Sequence, residues 1–394
     1  MQHFSQLNFN VTPSTSPASR LSARRGSDDE APRWIFSPAD VPLLPEWTHG
    51  LETLGNTTLT PMQCMQAAQR YVSVATQHES YWRPRLEKDH GLSPYLLHWL
   101  GIALMSSNQA PRWRLGTHML RSASELGYGP STLTLMRVFT SMSGDAAAKA
   151  SKSRIFTEAD RRFQQIVSRG ADPDALTLQG IILAKSGAKD RARRALESFE
   201  KAERAWEASA AVSTSSSSSS SSSQDGSSGS GTKKPDPNTP EDEGASSFDP
   251  QQIRLPPPRE PRWEWETSCV LGRAGILERQ GRPGEAAALY RVAALELDNP
   301  TGFWKLAQLA RAAGDGDGGR RDTPERRTYL LKAAISGVAE ACRELGELEA
   351  IVAAGGRGGL SAREREEREK MSREWFRLAD GEELKSIQDE AVVE

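Results

Sequence analysis

Cysteine is scarce in this chain of 394 residues: Cys64, Cys269 and Cys342 are odd in number and far apart. No disulfide framework and no paired-thiolate metal spacing can be drawn from them, which fits a reducing compartment. Long apolar runs are missing as well. A bilayer span needs about 18 to 20 apolar residues, whereas the strongest run, Tyr95 to Met105, is shorter and interrupted by His98. That run reads as a buried helix. Charge of one sign is missing overall, with 50 basic and 52 acidic residues and a formal net charge of −2. The balance argues against a bulk polyanion such as nucleic acid as partner.

Acid is missing locally too. Residues 1 to 27 contain no Asp or Glu but hold six serines and Arg20, Arg24 and Arg25, and acids begin abruptly at Asp28. An acid-free, Arg- and Ser-containing leader over residues 1–34 reads as a mitochondrial presequence, with a disordered cytosolic tail as the alternative. The Asn10-Val-Thr12 glycosylation match stands alone without other secretory signals.

Catalytic and ligand motifs fail one after another. His78-Glu79 begins like HExxH, but Trp82 occupies the position of the second histidine. The histidines 3, 49, 78, 90, 98 and 118 show no ligand spacing. The run GDGDGG satisfies GxGxxG at Gly314, Gly316 and Gly319, yet a helix rather than a strand precedes it, and as a calcium loop it puts Arg326 where a bidentate Glu belongs. No P-loop and no nucleophile elbow occurs. The expectation is a non-catalytic protein without cofactor or metal.

What remains is helical periodicity, broken by one polar tract. Residues 209–254 are Ser, Gly, Pro and acid, including nine consecutive serines at 215–223, and cannot bury enough apolar surface to offset chain entropy. They separate an N-terminal helical region, 35–208, from a C-terminal one, 255–394. Start signals recur: Thr60-Pro61, Ser93-Pro94, Thr157 before EADRRFQQIVSR, Asp172-Pro173 and Pro300. On the first of these helices, Met62, Met65, Ala68 or Gln69, Val72 and Ala75 or Thr76 form the expected apolar face. Glycines 127, 170, 187, 281 and 337 punctuate the helix ends. Pro256 to Trp265 contains Pro258-x-x-Pro261, read as a stiff lead-in whose Trp263 or Trp265 packs on the next helix, with a polyproline ligand as the alternative. Lys185, Lys189, Arg191, Arg193 and Arg194 read as a solvated basic face, or alternatively a phosphate contact. The late run SAREREEREKMSREWFRLAD reads as a salt-bridged capping helix with Trp375, Phe376 and Ala379 turned inward.

The segment from Val270 to Pro300 resembles a tetratricopeptide repeat, with Val270, Ala274 and Leu277 on one helix, Gly281 at the turn, and Ala286, Tyr290 and Ala293 on the next. Residues Lys332, Ala333, Ala334, Gly337, Ala341, Leu345 and Gly346 resemble the core of a SEL-one-like repeat, although Glu349 stands where a tyrosine often follows. Ser122, Ala123, Ser124, Gly127, Ser131 and Leu135 form a weaker echo, and Phe199 to Ala202 another. The resemblance implies an all-α fold, an α-solenoid of antiparallel helix pairs with a Ser-rich insert, in which each pair buries its apolar face against the next. It also implies that first helices line a concave groove for a partner protein or peptide. Carried onto matching positions, that puts Glu278, Arg279, Trp304, Gln308 and Arg311 toward the partner. With the leader, the expectation is a mitochondrial assembly or adaptor scaffold, peripherally associated with a membrane complex. A cytosolic or endoplasmic-reticulum adaptor and an organellar RNA binder are the alternatives.

Overall fold

The structure is a computed structural model that describes residues 36–55, 58–77, 81–106, 109–185, 188–217, 255, 257–313, 323–355 and 361–381. The leader, His78-Glu79, the GDGDGG run and residues 218–254 of the Ser-rich tract lie outside the described residues.

Among the described residues there is no strand, and sixteen α-helices run in order. They are α1 (Leu44–Thr53), α2 (Pro61–Thr76), α3 (Leu86–His90), α4 (Pro94–Met105), α5 (Ala110–Glu125), α6 (Gly129–Ser141), α7 (Gly144–Ser151) and α8 (Arg154–Arg169). There follow α9 (Pro173–Lys185), α10 (Lys189–Ser217), α11 (Glu266–Arg279), α12 (Pro283–Arg291), α13 (Pro300–Ala313), α14 (Pro324–Ile335), α15 (Ala339–Ala353) and α16 (Ala362–Asp380). The start signals have a visible cause. Thr60, Ser93, Ser153, Thr323 and Ser361 each accept a hydrogen bond from the backbone N–H three residues on, satisfying a donor the helix itself cannot.

Three helix ends share one geometry. The N–H groups of Tyr128, Arg282 and Val338 donate to the carbonyls of Ala123, Leu277 and Ala333, while those of Gly127, Gly281 and Gly337 donate to Ser124, Glu278 and Ala334. This is the Schellman closure, and it needs a left-handed residue, supplied by the three glycines at φ of 87°, 74° and 86°. The chain therefore reverses directly into α6, α12 and α15, producing helix hairpins. The weaker echo is a true counterpart of the strong unit. Ala123, Ser124, Ser131 and Leu135 are fully buried like Ala333, Ala341 and Leu345 in the equivalent places.

Helix crossings are closed by glycines as much as by alanines. A Cβ on Gly101 would lie 3.0 Å from the Gly116 carbonyl oxygen and 2.7 Å from Leu120, and one on Gly116 only 2.7 Å from the Gly101 carbonyl oxygen. So α4 and α5 touch backbone to backbone. Phe199 of α10 lies over Gly180 of α9, and Gly302 of α13 meets the backbone of Ala293 and Ala294 in the π-helical turn Val292–Glu296 that extends α12.

The helices form two compact units: the described residues up to Trp206 with Arg262–Cys269, and those of Glu207–Pro261 with Val270 onward. In the first, α1 packs on α2 and α4, α4 on α5, α5 on α6 and α8, and α9 on α6 and α8. In the second, α12 through α16 pack each on the next. The segment 262–269, read in sequence as the start of the C-terminal region, belongs with the first unit because both tryptophans are buried there: Trp263 donates its indole N–H to Thr177 at 3.4 Å, and the Trp265 backbone N–H donates to Asp174 at 2.9 Å.

Several local expectations are corrected. The cap of α8 is Ser153, not Thr157, which sits inside the first turn and donates back to the Ser153 carbonyl. On α2, Ala68, Val72 and Ala75 are buried as expected, but Met62 is exposed and Cys64, Ala67, Tyr71 and Val74 complete the buried face, because Tyr71 rather than the methionines anchors the helix. Helix α10 runs to Ser217, past residue 209 where the polar tract begins. On α16, Ala379 is buried, but Phe376 is 37% exposed and lies with one ring edge on Gly346.

Candidate functional site

The sequence-derived partner residues sit on α11 and α13. Glu278 and Arg279 share an open groove of about 570 Å³ with Leu271, Gly275, Tyr290, Thr301 and Lys305. Glu278 is not simply presented to a partner. It accepts hydrogen bonds from the Tyr290 hydroxyl at 2.7 Å and the Lys305 ammonium at 3.2 Å, so one carboxylate ties α11, α12 and α13 together. Burial alone would raise its pKa, but those two donors outweigh it and hold the carboxyl below its usual range. Burial and the neighbouring Glu278 in turn push the Tyr290 phenol up, so it stays a donor.

Arg279 is exposed, its Nε donating to the Gly275 carbonyl at 3.2 Å. Trp304, Gln308 and Arg311 are not brought into the groove. Gln308 continues the Thr301–Lys305 stripe at helical spacing and is exposed; Trp304 is half-buried; Arg311 is exposed and lies 3.5 Å from the Glu344 carboxylate. Sequence reasoning missed Lys305, whose role depends on the position of Glu278, 27 residues away. It also missed Thr301 and Leu271, ordinary helix residues until the groove places them together.

A second polar cluster is deeper. Tyr71 of α2 places its hydroxyl 2.8 Å from His118 Nδ1 and 2.7 Å from the Ser122 hydroxyl, both on α5. Arg83 donates from Nε to Ser122 at 2.9 Å and sits 3.3 Å from Glu125, and the Trp82 and His118 rings stack. Burial, then Arg83 and Arg121, drive the His118 imidazole down to about 3, so it is neutral. Tyr71 and Ser122 are fully buried, and the groove of α11 and α13 does not border them. The cluster locks the Tyr81–His90 stretch onto α2 and α5. Among the described residues no group of His, Cys, Asp and Glu could hold a metal ion, and no helix is long and apolar enough to cross a membrane.

The second unit carries a third network. Glu349, at the position where a tyrosine would be expected, is 1% exposed and is held by Arg327 of α14 and, at 2.8 Å, by Arg368 of α16. Glu344 pairs with the buried Arg326 beside it. Arginine–carboxylate bonds at Glu349 thus join α15 to α14 and α16.

No protein-family model matches the chain, and no curated protein matches it. Among solved structures it is similar to a Sel1 repeat protein from Oxalobacter formigenes, at 14% identity over 84% of this chain and 99% of that one, with a TM-score of 0.43.

Proposed function

We propose that this chain is a non-catalytic scaffold of stacked helix pairs that binds a partner protein or peptide. The observation that carries the reading is the groove of the second unit: an open surface shared by α11 and α13 and walled by the tied Glu278–Tyr290–Lys305 set, with Arg279 and Thr301 exposed at its edge. A rigid polar frame beside exposed side chains suits an extended polypeptide, for which backbone and side-chain donors matter more than a deep cavity.

The finer reading puts this scaffold in mitochondria, as an assembly or adaptor factor for a membrane complex, on the strength of the acid-free, arginine-containing residues 1–27. Fusing residues 1–34 to a fluorescent protein tests the compartment. Import supports the reading, and diffuse cytosolic signal overturns it in favour of a cytosolic adaptor.

The binding claim is tested by affinity purification of the full chain from cells. The double variant Arg279→Glu, Thr301→Trp alters exposed groove residues without breaking the Glu278 ties. Loss of the main co-purifying protein, with an unchanged thermal melt, is the expected outcome. An identical set of co-purifying proteins would overturn it.

A further inference from the structure

The first unit contains a cavity of about 240 Å³ that the scaffold reading leaves unused. Four aromatic side chains line it: Tyr95 and Trp99 from α4, Tyr128 before α6, and Trp265 before α11. Three carboxylates, Asp172, Asp174 and Glu264, line it as well, against the single guanidinium of Arg137. Tyr95, 42% exposed, and the exposed Glu264 place its mouth at the surface. The volume is below the roughly 300–1,000 Å³ of drug-sized ligand sites and suits one long side chain.

The lining has a definite charge preference. Aromatic faces are negative and attract cations placed over them. The fold already uses this, since the Arg137 guanidinium lies 5.4 Å from the centre of the Trp265 ring. The three carboxyl groups outnumber that one cation, and burial raises the Glu264 carboxyl above its usual range against the opposing pull of its bond to Trp265 and of Arg137. Keeping carboxylates beside aromatic walls costs folding stability, and such costs concentrate at functional sites.

We propose that this cavity takes a basic side chain, lysine or arginine, presented by a partner peptide. Its aromatic walls embrace the aliphatic stem and the cation, and Asp174 and Glu264 accept its N–H donors. This rests on the partner-binding reading and adds the chemistry of one partner residue. Asp174 supports it from a second side. Burial first, then Glu264 and Asp172, raise its carboxyl to about 7, with the Trp265 N–H pulling the other way. Arg137 also lines the site, and His98, lowered to about 4 by burial, contributes no charge near neutrality. A bound cation would favour the ionised form of Asp174, so affinity should fall by about tenfold between pH 8 and pH 5.5 as the acid takes up its proton.

The test uses the purified full chain and calorimetric or fluorescence titration with acetyl-Gly-Gly-Lys-Gly-Gly-amide, its Arg and norleucine analogues, and n-butylammonium. The Lys and Arg peptides should bind at least about tenfold more tightly than the uncharged norleucine peptide. Asp174→Asn and Glu264→Gln should each weaken them, while Glu260→Gln, outside the cavity, should not. Glu264 is exposed, so E264Q reads the site independently of any effect of D174N on folding stability. Equal binding of the norleucine peptide would make the cavity merely apolar and overturn the assignment. Butylammonium binding as tightly as the peptide would make it a small-amine site and overturn the peptide source. No binding at millimolar peptide would overturn it outright. Capture of a partner through the α11/α13 groove stands or falls separately in the variant pull-down.

Discussion

At the scale of single residues, the structure distinguishes glycines that look alike. Gly101 and Gly346 both lie inside helices, where alanine is intrinsically preferred by about 1 kcal/mol. At Gly101 the added methyl meets a backbone carbonyl that cannot move, so Gly101→Ala should cost about 1–3 kcal/mol on balance, measured by urea denaturation. At Gly346 it meets only the half-exposed Phe376 ring, which can yield, and the same change should be near neutral. Arg326 offers a harsher case. It is 4% exposed and its partner Glu344 9%, so Arg326→Met leaves a carboxylate stranded and should lower stability by about 3 kcal/mol, the partial relief coming from Arg311. Asp174 gives a pH signature. Its folded carboxyl is raised to about 7, well above its unfolded value, so between about pH 4 and pH 7 the native state holds a proton that the unfolded chain has lost. Its contribution is greatest at the acid end and is lost as pH rises toward 7. Asp174→Asn should flatten that decline and be the more stable form at pH 8 by about 2–4 kcal/mol, as read from denaturation midpoints across pH.

At the scale of elements, caps and turns carry what the sequence makes readable. The Schellman glycines at 127, 281 and 337, the Thr60 and Ser93 caps and the proline starts are local signals, and the structure uses each where the pattern puts it. What stays hidden depends on a second element. Ser153 and Thr157 both satisfy the cap rule in sequence, and the choice falls to Ser153 because Ile155 and Phe156 are needed inside α8, where Phe156 meets Phe139 of α6 edge to face. Ser153→Ala should therefore cost about 1 kcal/mol and Thr157→Ala little, a difference that thermal melts resolve. On α2 the spacing placed Ala68, Val72 and Ala75 inward correctly, but nothing local says that Tyr71 rather than Met62 is buried and meets α5. The Gly101–Gly116 contact is invisible for the same reason: each glycine alone reads only as a weak helix former. The site followed this rule. Glu278 and Arg279 were within reach of the repeat pattern, but Lys305 and the cavity around Asp174 need distances that only the packed helices supply.

At the scale of the whole molecule, helices are closed by small residues at their crossings, and we propose that they display a groove to a partner polypeptide. Polar clusters hold elements together: Tyr71 with His118 and Ser122, Glu278 with Tyr290 and Lys305, Glu349 with two arginines. The most direct measurement is cross-linking mass spectrometry on the full chain captured from cells, using an amine-reactive linker for which Lys305 is the reporter inside the groove. The account predicts cross-links from Lys305 to one recurring partner, lost in the Arg279→Glu, Thr301→Trp variant. A reproducible partner cross-linked only through lysines remote from both α11 and α13, and unaffected by that variant, would contradict it.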